Sequence, residues 1–223
     1  YGEWLAAPRD KTIFQAAEKL IFRQTSDRII GCFIDDKFIM RDNTHIILKK
    51  DEDINLHYAL AVLNSKLTNF YYGMINPEQG EVLAQVKAFH LENLPLPKIS
   101  PSEQQPFIEL AETMLQLNHD FQTASSKFGR LLCRRFNIAK PSKALQQWFE
   151  LDFKEFTAAL KKHKVSLSLK DEMEWEELFT ESQAKVCVLQ EKIAATDKAI
   201  DQKVFALYGL SDEEIALVCA DAV

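Results

Sequence analysis

Two prolines at alternate positions, Pro95 and Pro97, divide the chain into parts with different sequence patterns. Proline has a fixed φ angle and no backbone N–H, so this pair ends the preceding element and forms a semi-rigid extended bridge. Short β-branched and aromatic runs precede the bridge, whereas apolar residues at helical spacing follow it. The sequence therefore predicts a strand-bearing front part, residues 1–98, and a helical back part, residues 99–223.

The front part contains four runs that are typical of short strands, separated by Asp, Asn and Gly residues. We expect these runs to form an antiparallel meander and a later run to add one more strand. The four runs are residues 20–24, 28–34, 38–41 and 44–49, and the later run is residues 82–86.

A helical pattern lies between these strands, where apolar residues recur at helical spacing over residues 55–74. Asn55 is a suitable N-cap for this helix, and Ser65 is a suitable N-cap for a second helix after a kink. Gly73 and residues 76–80 are predicted to form the loop that follows.

Heptad spacing dominates the back part, where apolar series repeat every seven residues near its beginning and again near its end. These patterns predict two long helices of about 25 residues that pair antiparallel. Packing of both helices on a shared core is the alternative. Gly209 is predicted to end the second helix, and Ser211 to cap a final short one. The series are Phe107, Met114, Phe121 and Phe128; Leu110, Leu117, Ala124 and Leu131; and Val186, Ile193, Ile200 and Leu207.

Shorter helices are predicted between the two long ones. Ser142 can cap a helix over residues 143–149, and Asp152 can cap one over residues 153–163. Residues 170–180 are acidic, with apolar residues on one side of a helical pattern, and predict a third.

The charge of the chain is unevenly distributed along the sequence. The net charge is −6, but residues 127–164 carry +7 and are flanked by −4 over residues 99–126 and −8 over residues 165–223. Residues 1–98 carry −1. The basic block is interpreted either as a solvated helical surface or as a stripe that contacts phosphates.

Neither the cysteines nor the histidines have the spacing of a metal site. Cys32, Cys133, Cys187 and Cys219 are scattered, which predicts reduced thiols in a cytoplasmic protein. No apolar run approaches the length of a membrane-spanning helix. The chain begins at Tyr1 rather than Met, so we expect it to be a piece of a longer protein.

Several motifs together resemble the TaqI-like C-terminal specificity domain, the target-recognition domain of type II restriction–modification adenine-N6 DNA methyltransferases. The most specific ones are a "LNSKLxxFYY" helix, a "LxNLPLP" proline segment and a "TDxxIDxxVxxLYGL" string near the end. The matching segments are residues 1–9, 19–24, 60–72, 91–97, 145–153, 174–176 and 196–210.

This resemblance implies a function and a set of partners. In that family the region follows a methyltransferase domain that uses S-adenosylmethionine, and some members also carry an endonuclease domain. The region itself binds double-stranded DNA and chooses the sequence to be modified. The helical part resembles the spacer helices of type I specificity subunits. We therefore expect no cofactor in this piece, S-adenosylmethionine in an upstream domain of the same polypeptide, and no membrane partner; an oligomer is left open.

No stretch of the sequence predicts a catalytic site. Adenine-N6 methyltransferases use an Asn/Asp-Pro-Pro-aromatic loop around a flipped adenine, and residues 76–78 lack the second proline and the ring. Residues 35–37, Asp-Asp-Lys, have the residue types of a nuclease centre, but a turn with solvated charges explains them better. No glycine-rich motif indicates a cofactor pocket.

Recognition of bases in the major groove needs Arg, Asn or Gln side chains on loops or strands, and positioning on DNA needs groups that bind phosphate. Arg28 could instead pair with Asp27, Arg41 with Asp42 or Asp35, and Tyr72 could be a core residue. The base-reading candidates are Arg23, Gln24, Arg28, Arg41, Asn43, Gln79 and Gln85. The phosphate candidates are Lys66, Tyr72, Lys87, Arg130, Arg134, Arg135, Lys140 and Lys143.

The sequence thus predicts an α+β chain: a recognition domain on a small twisted sheet, followed by a helical domain with two long antiparallel helices. The predicted function is sequence-specific DNA recognition for a restriction–modification enzyme, with no catalysis in this piece. The alternative is a helical assembly module that makes no direct contact with DNA.

Overall fold

The computed structural model describes residues 11–37, 43–76, 78, 80, 81 and 83–220. By their contacts the described residues form two compact units, one within 1–113 together with 197–223, and the other within 114–196. The sequence analysis instead divides the chain at residue 98, and that division into recognition and spacer domains stays a prediction.

The first unit contains a three-stranded antiparallel sheet built from β1 (Lys19–Arg23), β2 (Gly31–Ile34) and β3 (Thr44–Ile47). The strand order is β2-β1-β3, so β1 lies in the middle and pairs with both other strands. The predicted meander is therefore wrong in its order, because the chain after β2 returns to the far side of β1. The run at residues 38–41 lies outside the described residues.

The predicted strand over residues 82–86 is reduced to one isolated bridge between Thr25 and Gln85. A turn closed by the Ala84 N–H and the Glu81 carbonyl, 3.2 Å apart, takes up the residues before it. Among the described residues of this run, Gln85 forms the bridge and Leu83 lies in the turn.

The helices after the sheet begin as the sequence predicts. After a five-residue α1 (Lys11–Gln15) that precedes the sheet, the longer helices are α2 (Leu56–Asn64) and α3 (Lys66–Ile75). The Asn55 and Ser65 side chains cap α2 and α3 by accepting the N–H groups of His57 and Thr68. Gly73 lies inside α3 rather than in a loop, since a helix interior tolerates an isolated glycine.

Side chains of α2 and α3 bind the outer edge of β2 and the residues before it. The Asn69 side chain accepts the Ile29 N–H at 2.8 Å and donates to the Ile29 carbonyl at 3.4 Å. Asn64 does the same for Gly31, at 2.8 Å and 3.0 Å. Two asparagines thus satisfy backbone groups that a further strand would otherwise bind.

The proline bridge is anchored by two tyrosines, one from α2 and one from the last turn of the long helix that ends at Tyr208. It follows α4 (Ala88–Glu92), a short helix. The Tyr58 hydroxyl donates to the Pro97 carbonyl at 2.6 Å, and the Tyr208 hydroxyl donates to the Pro95 carbonyl at 2.7 Å. The extended bridge is therefore held in place by two long-range hydrogen bonds.

The two long helices are longer than predicted. They are α5 (Pro101–Arg135), with 35 residues, and α8 (Leu169–Tyr208), with 40 residues. The separate helix predicted over residues 170–180 is the beginning of α8, because no glycine or proline interrupts the sequence after it. Gly209, at φ +68°, ends α8 as predicted, and α9 (Asp212–Ala220) follows Ser211.

The second unit has an aromatic core that also contains the helices between α5 and α8. These are α6 (Lys143–Gln146), the 3₁₀ helix Trp148–Glu150 and α7 (Phe153–Lys162), so the predicted helix over 143–149 is divided in two. The Phe128 ring from α5 packs at 3.9 Å from that of Trp148, and at about 6 Å from those of Phe156 and Phe179. In this unit the heptad residues therefore pack on a shared core, the alternative to direct pairing.

Asp152 caps α7 as predicted, in a reciprocal arrangement with Glu155. All four cysteines are free thiols. None of the described helices combines the length and the apolar character that crossing a membrane requires.

Candidate nucleic-acid interface

Four of the base-reading candidates lie together at one end of the sheet. The Gln24 N–H donates to the Asn43 carbonyl at 3.1 Å, and the Gln24 carbonyl accepts the Val86 N–H at 2.8 Å. Because Thr25 bridges to Gln85, the side chains of these two residues lie on the same side. Arg23 is the last residue of β1 and lies two residues before Thr25. Arg23, Asn43 and Gln85 are exposed, and Gln24 is half-buried.

Arg28 lies beyond this group in the loop that follows β1. Its N–H donates to the Ser26 hydroxyl at 3.1 Å, and the Ser26 N–H donates to the Ala84 carbonyl at 3.0 Å. Its side chain is exposed and forms no ion pair within the described ranges, so the alternative pairing with Asp27 is not present. Arg41 and Gln79 lie outside the described residues.

Tyr72 lies beneath this surface and not on it. Its side chain is fully buried, and its hydroxyl donates to the Gln85 carbonyl at 3.3 Å and accepts from Asn76 Nδ2 at 2.9 Å. Burial raises the pKa of the tyrosine hydroxyl, and the nearby Glu78 carboxylate raises this pKa further. The structure favours the core alternative for Tyr72, whose hydroxyl supports the backbone of Gln85.

Glu78 joins the backbone of Gln85 to the side chain of Lys87. One carboxylate oxygen accepts the Gln85 N–H at 3.0 Å, and the other lies 2.7 Å from Lys87 Nζ. The hydrogen bond from Lys87, followed by that from Gln85, lowers the pKa of Glu78. The carboxylate is therefore ionised near neutral pH and partly neutralises Lys87, whose side chain is 44% exposed.

Two histidines fix the same segment. His45 Nε2 lies 2.6 Å from the Val86 carbonyl, so the neutral tautomer that makes this hydrogen bond carries its proton on Nε2. His90 Nδ1 accepts the Lys87 N–H at 3.4 Å. Burial, and next the charge of Lys87, lower the pKa of His90. Near neutral pH His90 is thus an uncharged acceptor, and residues 85–87 are held on several sides.

Lys66, a phosphate candidate in the same unit, is paired with a buried carboxylate. Asp201 is 3% exposed, and its Oδ1 accepts the Lys66 N–H at 2.8 Å. Lys66 Nζ lies 3.5 Å from Oδ2, a contact without hydrogen-bond geometry. Burial raises the pKa of Asp201 and outweighs the lowering by the Lys66 backbone. The charge of the Lys66 ammonium is therefore partly neutralised by Asp201.

The remaining phosphate candidates lie in the second unit. All five side chains are exposed, and Arg135 lies 3.8 Å from Asp171. Arg130 borders a groove of about 470 Å³ between α5 and α6, which Phe121, Gly129, Pro141 and Leu145 also line. These candidates are Arg130, Arg134, Arg135, Lys140 and Lys143.

Residues 35–37 have no nuclease geometry. All three side chains are exposed, the Lys37 N–H donates to Asp36 Oδ1 at 2.6 Å, and the Asp36 carbonyl accepts from Lys19 Nζ at 2.8 Å. Over the described part of the chain, no three His, Cys, Asp or Glu side chains come together as metal ligands.

Sequence reasoning missed three of the supporting residues. The sequence places Glu78 only in a predicted loop, and Asn64 and Asp201 only within motifs. The motifs did carry a signal, since Asn64 and Asp201 lie in the two most specific strings. Their roles depend on partners 33 and 135 residues away in the sequence, however, which no local pattern reveals.

Comparison with known families finds two models that match separate parts of the chain. Residues 2–96 match the family model described as the TaqI-like C-terminal specificity domain. Residues 100–204 match a second model, described as a domain of unknown function (DUF8810). No curated protein and no solved structure matches the chain. The first match confirms the resemblance drawn from the motifs of the front part.

Proposed function

We propose that residues 2–96, the TaqI-like C-terminal specificity domain of this chain, read a base sequence in double-stranded DNA for a restriction–modification enzyme. The surface that would do so consists of Arg23, Gln24, Arg28, Asn43 and Gln85, and we call it the recognition surface. Arg can pair with guanine and Asn or Gln with adenine in the major groove.

One observation carries this proposal beyond the family match. The backbone of Gln24 and Gln85 donates hydrogen bonds to Asn43 and Glu78 and accepts one from Val86. The arginine side chains of the recognition surface remain unpaired among the described residues. A fixed backbone limits the ordering cost of binding to the side chains, and an unpaired arginine gives up no protein partner when it meets a base. Paired side chains would be typical of a surface with a structural role.

Phosphate contacts would position this surface on the duplex. Lys87 and Lys66 border carboxylates, so each would exchange a carboxylate partner for a phosphate on binding. We propose the exposed cations of the second unit, such as Arg130 and Lys143, as further phosphate contacts.

The enzyme that uses this module would be an adenine-N6 DNA methyltransferase, in which an upstream domain of the same polypeptide binds S-adenosylmethionine. An endonuclease domain is a further option within the same family. The motif resemblance supports this proposal. The substrate of such an enzyme would be DNA in the cytoplasm.

The experiment is a selection of this chain on random duplex DNA at low and moderate salt, with sequencing of the retained DNA. We expect one short motif to be enriched, and retention to fall steeply with salt as phosphate contacts are lost. Gln85→Ala should weaken binding to that motif by roughly 5- to 150-fold, the range for a lost base contact. Gln202→Ala, an exposed glutamine on α8, is the matched control and should change nothing.

Retention without enrichment would contradict base reading and leave only phosphate binding. No retention at low salt, together with self-association that is insensitive to salt, would favour the alternative of a helical assembly module.

A further inference from the structure

Leu83 is an apolar side chain held in water beside the recognition surface. It is 74% exposed and precedes Gln85 by two residues. Between and after them, Ala84 and Val86 are buried, at 2% and 0% exposure. Leu83 and Gln85 therefore both face the solvent, on either side of the buried Ala84.

The backbone next to Leu83 is fixed. The Ala84 N–H donates to the Glu81 carbonyl at 3.2 Å, and the Ala84 carbonyl accepts the Ser26 N–H at 3.0 Å. Because Ala84 is buried and bonded through both its N–H and its carbonyl, the backbone that presents Leu83 is held in place.

The exposed residues on either side of Leu83 in its own segment, Glu81 and Gln85, are polar, and Gln85 bridges to the exposed Thr25. The apolar side chain of Leu83 among these polar residues fits a ligand surface on which a single apolar group is surrounded by hydrogen-bonding groups. In the major groove that feature is the C5-methyl group of thymine, since the other base edges present donors and acceptors.

We propose that Leu83 contacts the C5-methyl group of a thymine in the target sequence, next to the base that Gln85 reads. This inference rests on the proposed function and adds a specificity-determining residue to it. Leu83 discriminates thymine from bases without the methyl group, by removing that methyl from water.

The test compares two random duplex pools that differ only in containing thymine or uracil, because uracil keeps the hydrogen-bonding edge and lacks the methyl group. We expect the motif selected from the thymine pool to contain a thymine whose replacement by uracil weakens binding about fourfold, as for one buried methyl-sized group. Leu83→Ala should lose the same fourfold on thymine DNA and bind both DNAs equally. Leu169→Ala, which replaces a leucine of 78% exposure in the second unit, is the control and should keep the discrimination.

The outcomes separate the two proposals. If the same motif is selected equally well from both pools, the role of Leu83 is overturned and the proposed function stands. If Leu83→Ala still discriminates thymine from uracil, another residue reads the methyl group and the inference is again wrong. If neither pool yields a motif, both proposals fail.

Discussion

The carboxylate of Asp201 accepts the backbone N–H of Lys66 across 135 residues of sequence. This bond joins the penultimate turns of α8 to the first residue of α3, where helix N–H groups lack partners within the helix. Asp201 is nearly inaccessible to water, and its Oδ2 has no hydrogen-bond donor. The Asp201 carboxylate therefore satisfies an N–H at the beginning of α3, but its own charge is buried.

Asp201→Asn should stabilise the chain relative to the wild type as pH rises. Burial raises the pKa of Asp201 in the folded state above its ordinary value of 3.8. Between pH 3.8 and the raised pKa the folded state binds this proton more tightly than the unfolded state, so the free energy of unfolding of the wild type falls as pH rises. Asparagine has no such proton, so Asp201→Asn lacks this fall. Urea unfolding of both proteins from pH 3.5 upward measures the difference.

Two further variants separate the roles of the Asp201 charge and of its hydrogen bond. Asp201→Ala removes the acceptor as well as the charge, and should cost about 1–3 kcal/mol because the Lys66 N–H loses its partner. Glu191→Gln changes an exposed carboxylate on the same helix and is the control. A difference between Asp201→Asn and wild type that is independent of pH would contradict the raised pKa.

Gly31→Ala should destabilise the first unit by about 1–3 kcal/mol, the range for overpacking. A Cβ at this position would overlap the ring of Phe22, which is itself buried. Gly129→Ala is the matched control, since nothing lies within 4 Å of its Cβ and alanine favours the helix, by about 0.5–1 kcal/mol. In denaturant unfolding we expect Gly31→Ala to lower the free energy of unfolding and Gly129→Ala to raise it. Equal losses of stability in the two variants would contradict the overlap with Phe22.

Asn69→Ala should cost more stability than Asn64→Ala. Ile29, the partner of Asn69, is buried, so its N–H would be left without any partner, at about 1–3 kcal/mol. Gly31, the partner of Asn64, is only half-buried, and water can replace part of the lost bond, leaving a cost of about 0.5–1.5 kcal/mol. Thermal unfolding ranks the two, with Asn118→Ala on the surface of α5 as the control; the reverse order would contradict this account.

Glu78→Gln should steepen the salt dependence of DNA binding. The substitution removes the charge that neutralises Lys87, so this lysine becomes available to a phosphate. The slope of log K against log salt should become more negative by about one, and the motif selected at low salt should become less sharp because the Gln85 backbone is held less firmly. Glu81→Gln, an exposed neighbour, should leave the slope unchanged. A wild-type slope in Glu78→Gln would show that Lys87 makes no phosphate contact.

Features that depend on neighbouring residues were predictable from the sequence. The caps at Asn55, Ser65 and Asp152 follow from a side chain and an N–H two or three residues apart. The positions of the three strands follow from β-branched and aromatic runs. The α+β class is confirmed for the same reason.

Features that depend on distant partners were not predictable. The order β2-β1-β3 is decided by a loop whose path no periodicity encodes. The heptad pattern of α5 indicates an apolar face but not its partner, and the aromatic rings of Trp148 and Phe156 take that place in the second unit. In the candidate site, Gln24 and Gln85 were named separately, and only the fold shows that they are neighbours.

The two asparagines at the edge of β2 also bear on how the chain behaves in a crowded solution. An open strand edge is a template on which another chain can add a strand, and this is a common beginning of aggregation. At Ile29 and Gly31 the edge is already occupied by carboxamides that copy the hydrogen-bonding pattern of a peptide group. Two side chains thus protect this edge of the sheet from pairing with another chain, without an additional strand.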